Sequence, residues 1–127
     1  MSLADYFEKA QGFGVLATAD DEGKVDIALY GRPHIIDETT VAFIMSDRLS
    51  HSNLTKNPAA AYLFLEKAEG YMGKRLYLTK IREETDTAKI ETIRRRRRND
   101  CHSEIKEEKY LVHFRVDNIR SLVGEQS

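Results

Sequence analysis

The sequence contains one cysteine, carries almost no net charge and has no long apolar run, and each of these absences excludes a class of protein. Cys101 has no partner for an internal disulfide, so the reducing cytoplasm is the expected location. A net charge of -1 gives no general attraction to nucleic acid or to an acidic membrane, so neither is an expected partner. No apolar run approaches the roughly 18 residues of a membrane span. The opening MSLADYFEKA lacks the basic and apolar regions of a signal peptide.

Motifs that would indicate a known chemistry are also missing. The chain has no glycine-rich dinucleotide fingerprint, no Walker A loop and no nucleophile elbow. Cys101 and His102 are adjacent, but a metal site needs three or four ligands, so we expect a surface thiol and no metal. The carboxylates are scattered without a pair whose spacing singles it out. The sequence therefore identifies no catalytic residue.

The composition and the apolar spacing predict one mainly β domain over residues 1–127. The chain is 41% hydrophobic and 32% charged, as in ordinary globular domains. Alternating or continuous apolar runs predict strands at 13–19, 25–30, 41–46, 59–66, 75–84 and 109–116, with a shorter one at Ile35 and Ile36. Helical spacing predicts helices at 2–11, 48–57 and from 85 to about 98, and a helical turn over 117–124. Strands at such short spacing favour a closed or partly closed antiparallel barrel.

Five consecutive arginines, at 94–98, are the most conspicuous charge feature. On a helix, consecutive residues point around the whole circumference and do not form one compact patch. Acidic residues lie on both sides of the run. A solvated helix end is therefore favoured over a nucleic-acid site, which stays open as the alternative.

A polar stretch between two apolar runs is the best candidate for a site. It reads MSDRLSHSNLTKNP at 45–58, and GRPH precedes it at 31–34. Antiparallel pairing of the strands on either side of DETT is expected to bring Arg32 and His34 close to Ser46, Arg48, Ser50 and His51. Hydroxyls, an arginine and the start of a helix together suit a bound phosphate.

The same stretch has a simpler interpretation. Arg32 would pair with Asp47 on the surface, and the serines would only cap the helix that follows. The residues alone do not choose between an anion site and an ordinary polar turn.

The order of elements resembles the pyridoxamine 5'-phosphate oxidase-like family of flavin-binding proteins. The resemblance is carried by GVLATADDEGKVDIALYGRPHII, DETTVAFIMSDRLSHSNLTKNPAAAYLF and GKRLYLTKIREETD, and it extends over essentially the whole chain. It implies a six- to seven-stranded antiparallel split β-barrel with short helices. It also implies a homodimer that binds FMN in a groove at the dimer interface.

The resemblance also implies which residues bind the phosphate. His34 corresponds to a basic phosphate ligand, and Arg48, Ser50 and His51 cover the phosphate-binding turn. The turn departs from the family pattern because it has no lysine and because Leu49 fills one of its binding positions.

Other residues are implied to contact the rest of the flavin. Met45 and Ser46 correspond to strand residues that touch the ring and the ribityl chain, and Tyr71 and Arg75 are expected to reach the ring across the dimer. The complete predicted cofactor set is Arg32, His34, Met45, Ser46, Arg48, Ser50, His51, Asn53, Tyr71 and Arg75.

The resemblance implies a flavin-dependent oxidoreductase acting on an unidentified small molecule. The C-terminal substrate-binding segment of the true oxidases has no counterpart in this sequence, so oxidation of pyridoxamine phosphate is not expected. Two alternatives stay open. One is a flavin binder or electron carrier without catalysis, and the other is the same fold with F420 or haem as its ligand.

Overall fold

The computed structural model describes residues 2–85, 87–95 and 109–124, in which the chain forms seven strands and three helices. Their order is α1 (Leu3–Lys9), β1 (Gly12–Ala19), β2 (Val25–Tyr30), β3 (His34–Asp37), β4 (Thr40–Ser46), α2 (Leu49–Lys56), β5 (Ala59–Glu66), β6 (Gly73–Glu84), α3 (Thr87–Arg95) and β7 (Lys109–Ser121). The predicted strands are all present.

The seven strands form one antiparallel sheet in the order β2-β1-β5-β6-β7-β4-β3. Strand β1 pairs with β2, its neighbour in sequence, and also with the distant β5. Strand β4 likewise pairs with its neighbour β3 and also with the distant β7. The sheet therefore depends on pairings between segments that are far apart in sequence. Its two edge strands are β2 and β3.

The core lies inside the curl of this sheet. Alternate residues of β1 are buried, because successive side chains of a strand point to opposite faces. Aromatic rings fill the interior: Phe43 contacts both Tyr62 and Phe114, and Phe7 of α1 packs edge-on against Phe64 at 5.2 Å between centroids. The pairs of Phe43 with Phe114 and of Phe7 with Phe64 are edge-to-face, a geometry that aromatic pairs prefer.

Two sets of contacts curl the sheet and bring its edge strand β2 close to β4. Tyr30 of edge strand β2 lies against Phe43 of β4, and the Tyr62 hydroxyl donates to the Gly31 carbonyl at 2.8 Å. Helix α2 covers the remaining gap by packing on β1, β2 and β4. The buried Asn53 side chain holds it there by donating to Thr18 of β1 at 3.0 Å. The result is a partly closed barrel, as predicted.

The prediction of a terminal helical turn over 117–124 is wrong. Strand β7 continues to Ser121, because its last residues pair with the beginning of β6, from Lys74 opposite Ser121 to Tyr77 opposite Asn118. A register shift leaves Asp117 without a partner residue, and this extra residue interrupts the alternation that marks a strand in sequence. Ladder hydrogen bonds thus prevail over a weak local helical pattern.

Helix α3 packs against the outer side of the sheet. Its Ile90 and Ile93 form a small second core with Ala42 and Leu111. The predicted helix reaches further, to about residue 98, and its end, most of the arginine run and the Cys101–His102 pair lie outside the described residues. Among the helices in the described ranges, none is long and apolar enough to cross a membrane.

Candidate functional site: a groove between β2 and α2

A groove of about 410 Å³ runs along edge strand β2 to the start of α2. This volume falls in the range of roughly 300–1,000 Å³ that is typical of small-molecule sites. We call it the β2–α2 groove. It is lined by residues 26–30 of β2, by Ile44 and Ser46 of β4, and by Arg48, Leu49 and Ser50 at the beginning of α2.

One end of the groove is polar and cationic. The Arg48 amide donates to the Ser46 carbonyl at 2.9 Å, so a tight turn places the two side chains next to each other at the end of β4. Arg48 is the N-cap of α2, and among the described residues no side chain caps the helix. Because the first amides of a helix have no partner within it, they present partial positive charge. Arg48, two serines and this helix end together suit an anion.

Tyr30 and Ser50 join the two walls of the groove. The Tyr30 phenol shares a hydrogen bond with the Ser50 side chain. Burial raises the pKa of Tyr30, although the hydrogen bond with Ser50 and the charge of Arg48 oppose the rise. The phenol is therefore neutral at physiological pH, and its hydroxyl is able to donate a hydrogen bond.

The other wall of the groove is apolar. It is lined by Ile44 of β4 and by Ile27 and Leu29 of β2, and the two β2 side chains are 68% and 72% exposed. Among the described strands, β2 pairs only with β1, so its second edge of backbone N–H and C=O groups also borders the groove. The groove thus combines an apolar wall, a strand edge able to form hydrogen bonds, and a cationic end.

His51 lies behind the groove and connects α2 to the sheet. Its Nδ1 is 3.2 Å from Asp47 Oδ1, its Nε2 is 3.1 Å from both Glu83 carboxylate oxygens, and its ring stacks on Tyr110 at 3.9 Å. Burial would raise the pKa of Glu83, but hydrogen bonds from Lys80 and His51 outweigh it and lower that pKa. His51 therefore fixes the start of α2 against β6 and β7.

No protein-family model and no curated protein matches the chain. Solved structures with the same architecture do match it. An FMN-binding protein from Syntrophomonas wolfei superimposes with a TM-score of 0.77 at 15% identity, over 94% of this chain and 83% of that one. An F420 reductase gives 0.74 at 14% identity, over 91% and 94%. A candidate pyridoxamine 5'-phosphate oxidase from Lactobacillus delbrueckii gives 0.67 at 13% identity, over 92% and 88%.

The chain has the split-barrel fold of pyridoxamine 5'-phosphate oxidase-like proteins. The predicted fold class is confirmed. The agreement extends over most of the chain, although the sequences have diverged so far that identity alone shows no relationship.

The split barrel brings together three of the ten predicted site residues at the groove. Ser46, Arg48 and Ser50 all line it. His51 is the next residue along α2, and both its ring nitrogens are engaged by carboxylates. The expectation that serines only cap the helix does not hold for Ser50, which lies within α2 and bonds to Tyr30.

The sequence predicted that strand pairing would place Arg32 and His34 next to Ser46. In the structure, strand pairing does not bring them together. Strand β3 is only four residues long, and His34 pairs with Ala42, which is four residues and so roughly 14 Å from Ser46 along β4. The Arg32 guanidinium donates to the carbonyls of Phe7 and Ala10, at 2.8 and 2.9 Å, at the end of α1. A role for either residue in cofactor binding stays a prediction.

The remaining predicted residues lie away from the groove lining. Met45 is buried in the core and Asn53 bonds to Thr18, as described above. Tyr71 is 81% exposed in the loop between β5 and β6, and Arg75 donates to the Ser121 carbonyl at 2.7 Å. Their predicted contact with a flavin across a dimer stays a prediction.

Sequence reasoning missed the β2 wall and one lysine. The alternation of residues 25–30 predicted a strand but not that this strand would border a site. Lys109 begins β7 directly opposite Ser46, and its Nζ lies 2.6 Å from Ser46 Oγ. No local signal marks either, because both depend on long-range pairing.

In the part of the chain that the structure describes, no group of three or more potential ligands forms a metal site.

Proposed function

We propose that this protein binds FMN in the β2–α2 groove, as a homodimer, and that it acts as a flavin-dependent oxidoreductase on a small molecule. The observation that carries the proposal is the chemical division of the groove. Its cationic end holds Arg48, Ser46 and Ser50, and its wall holds Ile27, Leu29 and Ile44. An FMN molecule has the matching division, with a phosphate at one end and a flat apolar ring at the other.

The residues present fit this cofactor. An arginine, hydroxyls and helix amides bind a phosphate through charge-assisted hydrogen bonds. Aliphatic side chains pack on the faces of an aromatic ring, and the free edge of β2 offers alternating donors and acceptors to the ring's polar edge. The solved proteins with this fold include one described as FMN-binding and one described as an F420 reductase, which supports a flavin-type ligand.

A bound flavin would supply hydride or electron transfer, and this chain would bind it and control access. Arg48 and the two serines would fix the phosphate end, while the β2 wall would shield the ring from water. The Tyr30 hydroxyl, held by Ser50 and kept neutral by burial, would donate a hydrogen bond into the groove.

Dimerisation is proposed because β2 exposes a row of aliphatic side chains on one face. Val25, Ile27 and Leu29 are 79%, 68% and 72% exposed. Contiguous exposed apolar surface of this kind marks an interaction site. A second copy seated there would border the groove.

We also propose that residues 1–127 fold as one domain, because β7 completes the sheet that β1 begins.

The first test is titration of the purified, cofactor-free protein with FMN, followed by absorbance and by quenching of flavin fluorescence. Arg48→Ala should weaken binding by about 1 to 3 kcal/mol, which is roughly 5- to 150-fold, because a charged phosphate ligand is lost. Arg115→Ala is the matched control, since Arg115 is an exposed arginine that pairs with Asp117 on β7.

Absence of FMN uptake by the wild-type protein would contradict the proposal, and parallel titrations with F420 and haem would then test those ligands. Equal affinity in the wild type and Arg48→Ala would place the phosphate elsewhere. Turnover separates an enzyme from a passive binder. Reduced flavin bound to the protein should transfer electrons to small acceptors faster than free FMN does.

A further inference from the structure

A second cavity, of about 320 Å³, lies beside α1. None of the described residues lines both this cavity and the β2–α2 groove. The lining comes from α1 and its N-cap, from the turn between β3 and β4, and from β6 and β7: Ser2, Leu3, Tyr6, Glu38, Lys74 and Ile119. We call this cavity the α1 pocket. Its volume is near the lower end of the range for small-molecule sites, so it suits a small ligand.

Strand pairing explains why Lys74 reaches the α1 pocket. Lys74 of β6 is paired with Phe64 of β5. Two residues further on, Leu76 of β6 is paired with Ile119 of β7. Side chains that are directly opposite, or two residues apart along a strand, lie on the same face of a sheet. Because Phe64 and Leu76 are completely buried, this is the face that carries the core, and Lys74 projects from it into the pocket.

Tyr6 forms a fixed wall of the α1 pocket. Its hydroxyl donates to the Glu66 carboxylate, and its ring packs edge-on against Phe7 at 4.9 Å and Phe64 at 6.2 Å between centroids. Burial and the hydrogen bond to Glu66 raise the pKa of Tyr6, so the phenol carries no charge at physiological pH. Lys74 Nζ lies 4.6 Å from the centre of the same ring. The pocket therefore has an aromatic wall with an ammonium above it.

The two charged side chains of the α1 pocket do not neutralise each other. Among the described residues, Lys74 and Glu38 form no ion pair, either together or with another group. An ammonium above an aromatic ring keeps its charge, and it has three N–H donors, so Lys74 is able to bind an acceptor as well. An ionised Glu38 only accepts hydrogen bonds. The pocket thus offers one site for an anion and one for a cation.

From this arrangement we infer that the α1 pocket binds a small zwitterion with an apolar body, of the class of the free amino acids. The ligand's carboxylate accepts hydrogen bonds from Lys74, and its ammonium donates to Glu38. Its apolar part packs on Leu3, Ile119 and the ring of Tyr6. A ligand with a single charge would bring one of the two side chains out of water without a partner, whereas a zwitterion satisfies both. The inference does not depend on FMN, because the pocket and the groove are lined by different residues.

A merely structural Lys74 would only hold α1 on the barrel through Tyr6. Removing it would then loosen the pocket as a whole and weaken every ligand to the same degree. A ligand-binding Lys74 affects only ligands that carry a carboxylate, and a ligand-binding Glu38 affects only ligands that carry an ammonium. Analogues that lack one of the two charges therefore separate these roles.

The experiment uses isothermal titration calorimetry on the full chain with two sets of probes. The first set is L-phenylalanine, phenylpropanoate, which lacks the ammonium, and phenylethylamine, which lacks the carboxylate. The second set is ε-aminohexanoate, hexanoate and hexylamine, in which the two charges of the zwitterion are further apart. We expect the zwitterion of at least one set to bind roughly tenfold or more tightly than either of its analogues, because it makes both charge-assisted contacts.

Substitutions that remove one charge should show opposite selectivity. Lys74→Gln should weaken the zwitterion and the carboxylate analogue roughly tenfold or more, and leave the amine analogue within about twofold. Glu38→Gln should weaken the zwitterion and the amine analogue and spare the carboxylate analogue. Lys74→Arg should retain most of the affinity. Lys67→Gln and Glu22→Gln, which alter exposed residues outside the pocket lining, are the matched controls and should change no constant. Circular dichroism confirms that each variant is folded.

The pattern across ligands decides the inference. Opposite selectivity of Lys74→Gln and Glu38→Gln, with affinity retained in Lys74→Arg, supports it. It is overturned if the wild type binds neither zwitterion, if the two substitutions leave zwitterion affinity unchanged, or if they weaken all three ligands of a set equally. FMN affinity should be the same in all these variants, and its value bears on the proposed function alone.

Discussion

At the scale of single residues, a few close contacts determine how the barrel closes beside the groove. The Tyr62 hydroxyl donates to the Gly31 carbonyl, directly after β2, and this bond holds the edge strand in place. Gly14 of β1 makes room for that ring. A methyl group at Gly14 would collide with the Tyr62 hydroxyl and would lie 2.7 Å from the Leu63 carbonyl oxygen.

We therefore predict that Gly14→Ala lowers the free energy of unfolding by about 1 to 3 kcal/mol, because overpacking forces a buried side chain to move. Urea denaturation followed by circular dichroism measures the loss. The Tyr62 hydroxyl would also leave Gly31, so FMN affinity should fall in the same variant.

Gly31→Ala is the matched control for this prediction. Apart from Gly31 itself and its two neighbours in the chain, no described residue has an atom within 4 Å of the position that the added methyl group would occupy. Its stability should stay close to that of the wild type. If Gly14→Ala proved as stable as Gly31→Ala, the close approach of Tyr62 to β1 would not contribute to stability.

At the scale of secondary-structure elements, a buried histidine joins β7 to β6 beneath α3. His113 is only 1% exposed, and its Nε2 lies 2.6 Å from Glu84 Oε2. Its Nδ1 has no hydrogen-bond partner within the described part of the chain. Neutral imidazole suits this site, with Nε2 donating to Glu84. A proton on Nδ1 would be buried without an acceptor.

Burial lowers the pKa of His113, and the hydrogen bond to Glu84 opposes this only in part. Because the folded state binds this proton less readily than the unfolded chain, its contribution to stability is complete above pH 6.5 and declines as the pH falls below that value. We predict that the wild type loses stability between pH 7 and pH 5.

The test is urea denaturation across that range for the wild type and His113→Gln. The variant should show a shallower dependence of unfolding free energy on pH, by up to one bound proton, whatever its absolute stability. Titration of Glu84 does not contribute to the difference between the wild type and His113→Gln in this pH range. Lys89 and then His113 lower the pKa of Glu84 to about 2, so its contribution is lost only in stronger acid. An unchanged slope in His113→Gln would contradict a neutral buried histidine.

The elements also show where local sequence was sufficient. Strands β2 and β5 have the predicted bounds because apolar and polar residues alternate, or run continuously, between clear turn signals. The end of β7 was mispredicted because its residues are neither buried nor strongly alternating and owe their extended conformation to β6. Propensity determines an element only where tertiary pairing does not compete with it.

At the scale of the whole molecule, the proposed dimer depends on the face of β2 that carries Val25, Ile27 and Leu29. In a two-fold symmetric interface each substitution occurs twice, so one buried charge has a doubled effect. We predict that the wild type has the mass of a dimer at micromolar concentration and that Ile27→Glu is monomeric. The free energy of dimer association should become less favourable by roughly 3 kcal/mol or more, which is about a 100-fold loss of dimer affinity.

Light scattering coupled to size exclusion measures these masses. Val123→Glu is the control, because Val123 is 61% exposed but follows the end of β7 and is not part of β2. It should remain dimeric. A monomeric wild type, or a dimer that survives Ile27→Glu unchanged, would move the interface away from β2.

The sequence by itself determined the mainly β class, the order of elements and the polar stretch that contributes Ser46, Arg48 and Ser50 to the groove. These follow from local alternation and turn chemistry, which act between near neighbours. Only the tertiary structure placed Lys109 against Ser46, because the two are 63 residues apart and meet through the pairing of β4 with β7. It also separated His34 from that site, since the register of β3 and the length of β4 fix where each side chain lies.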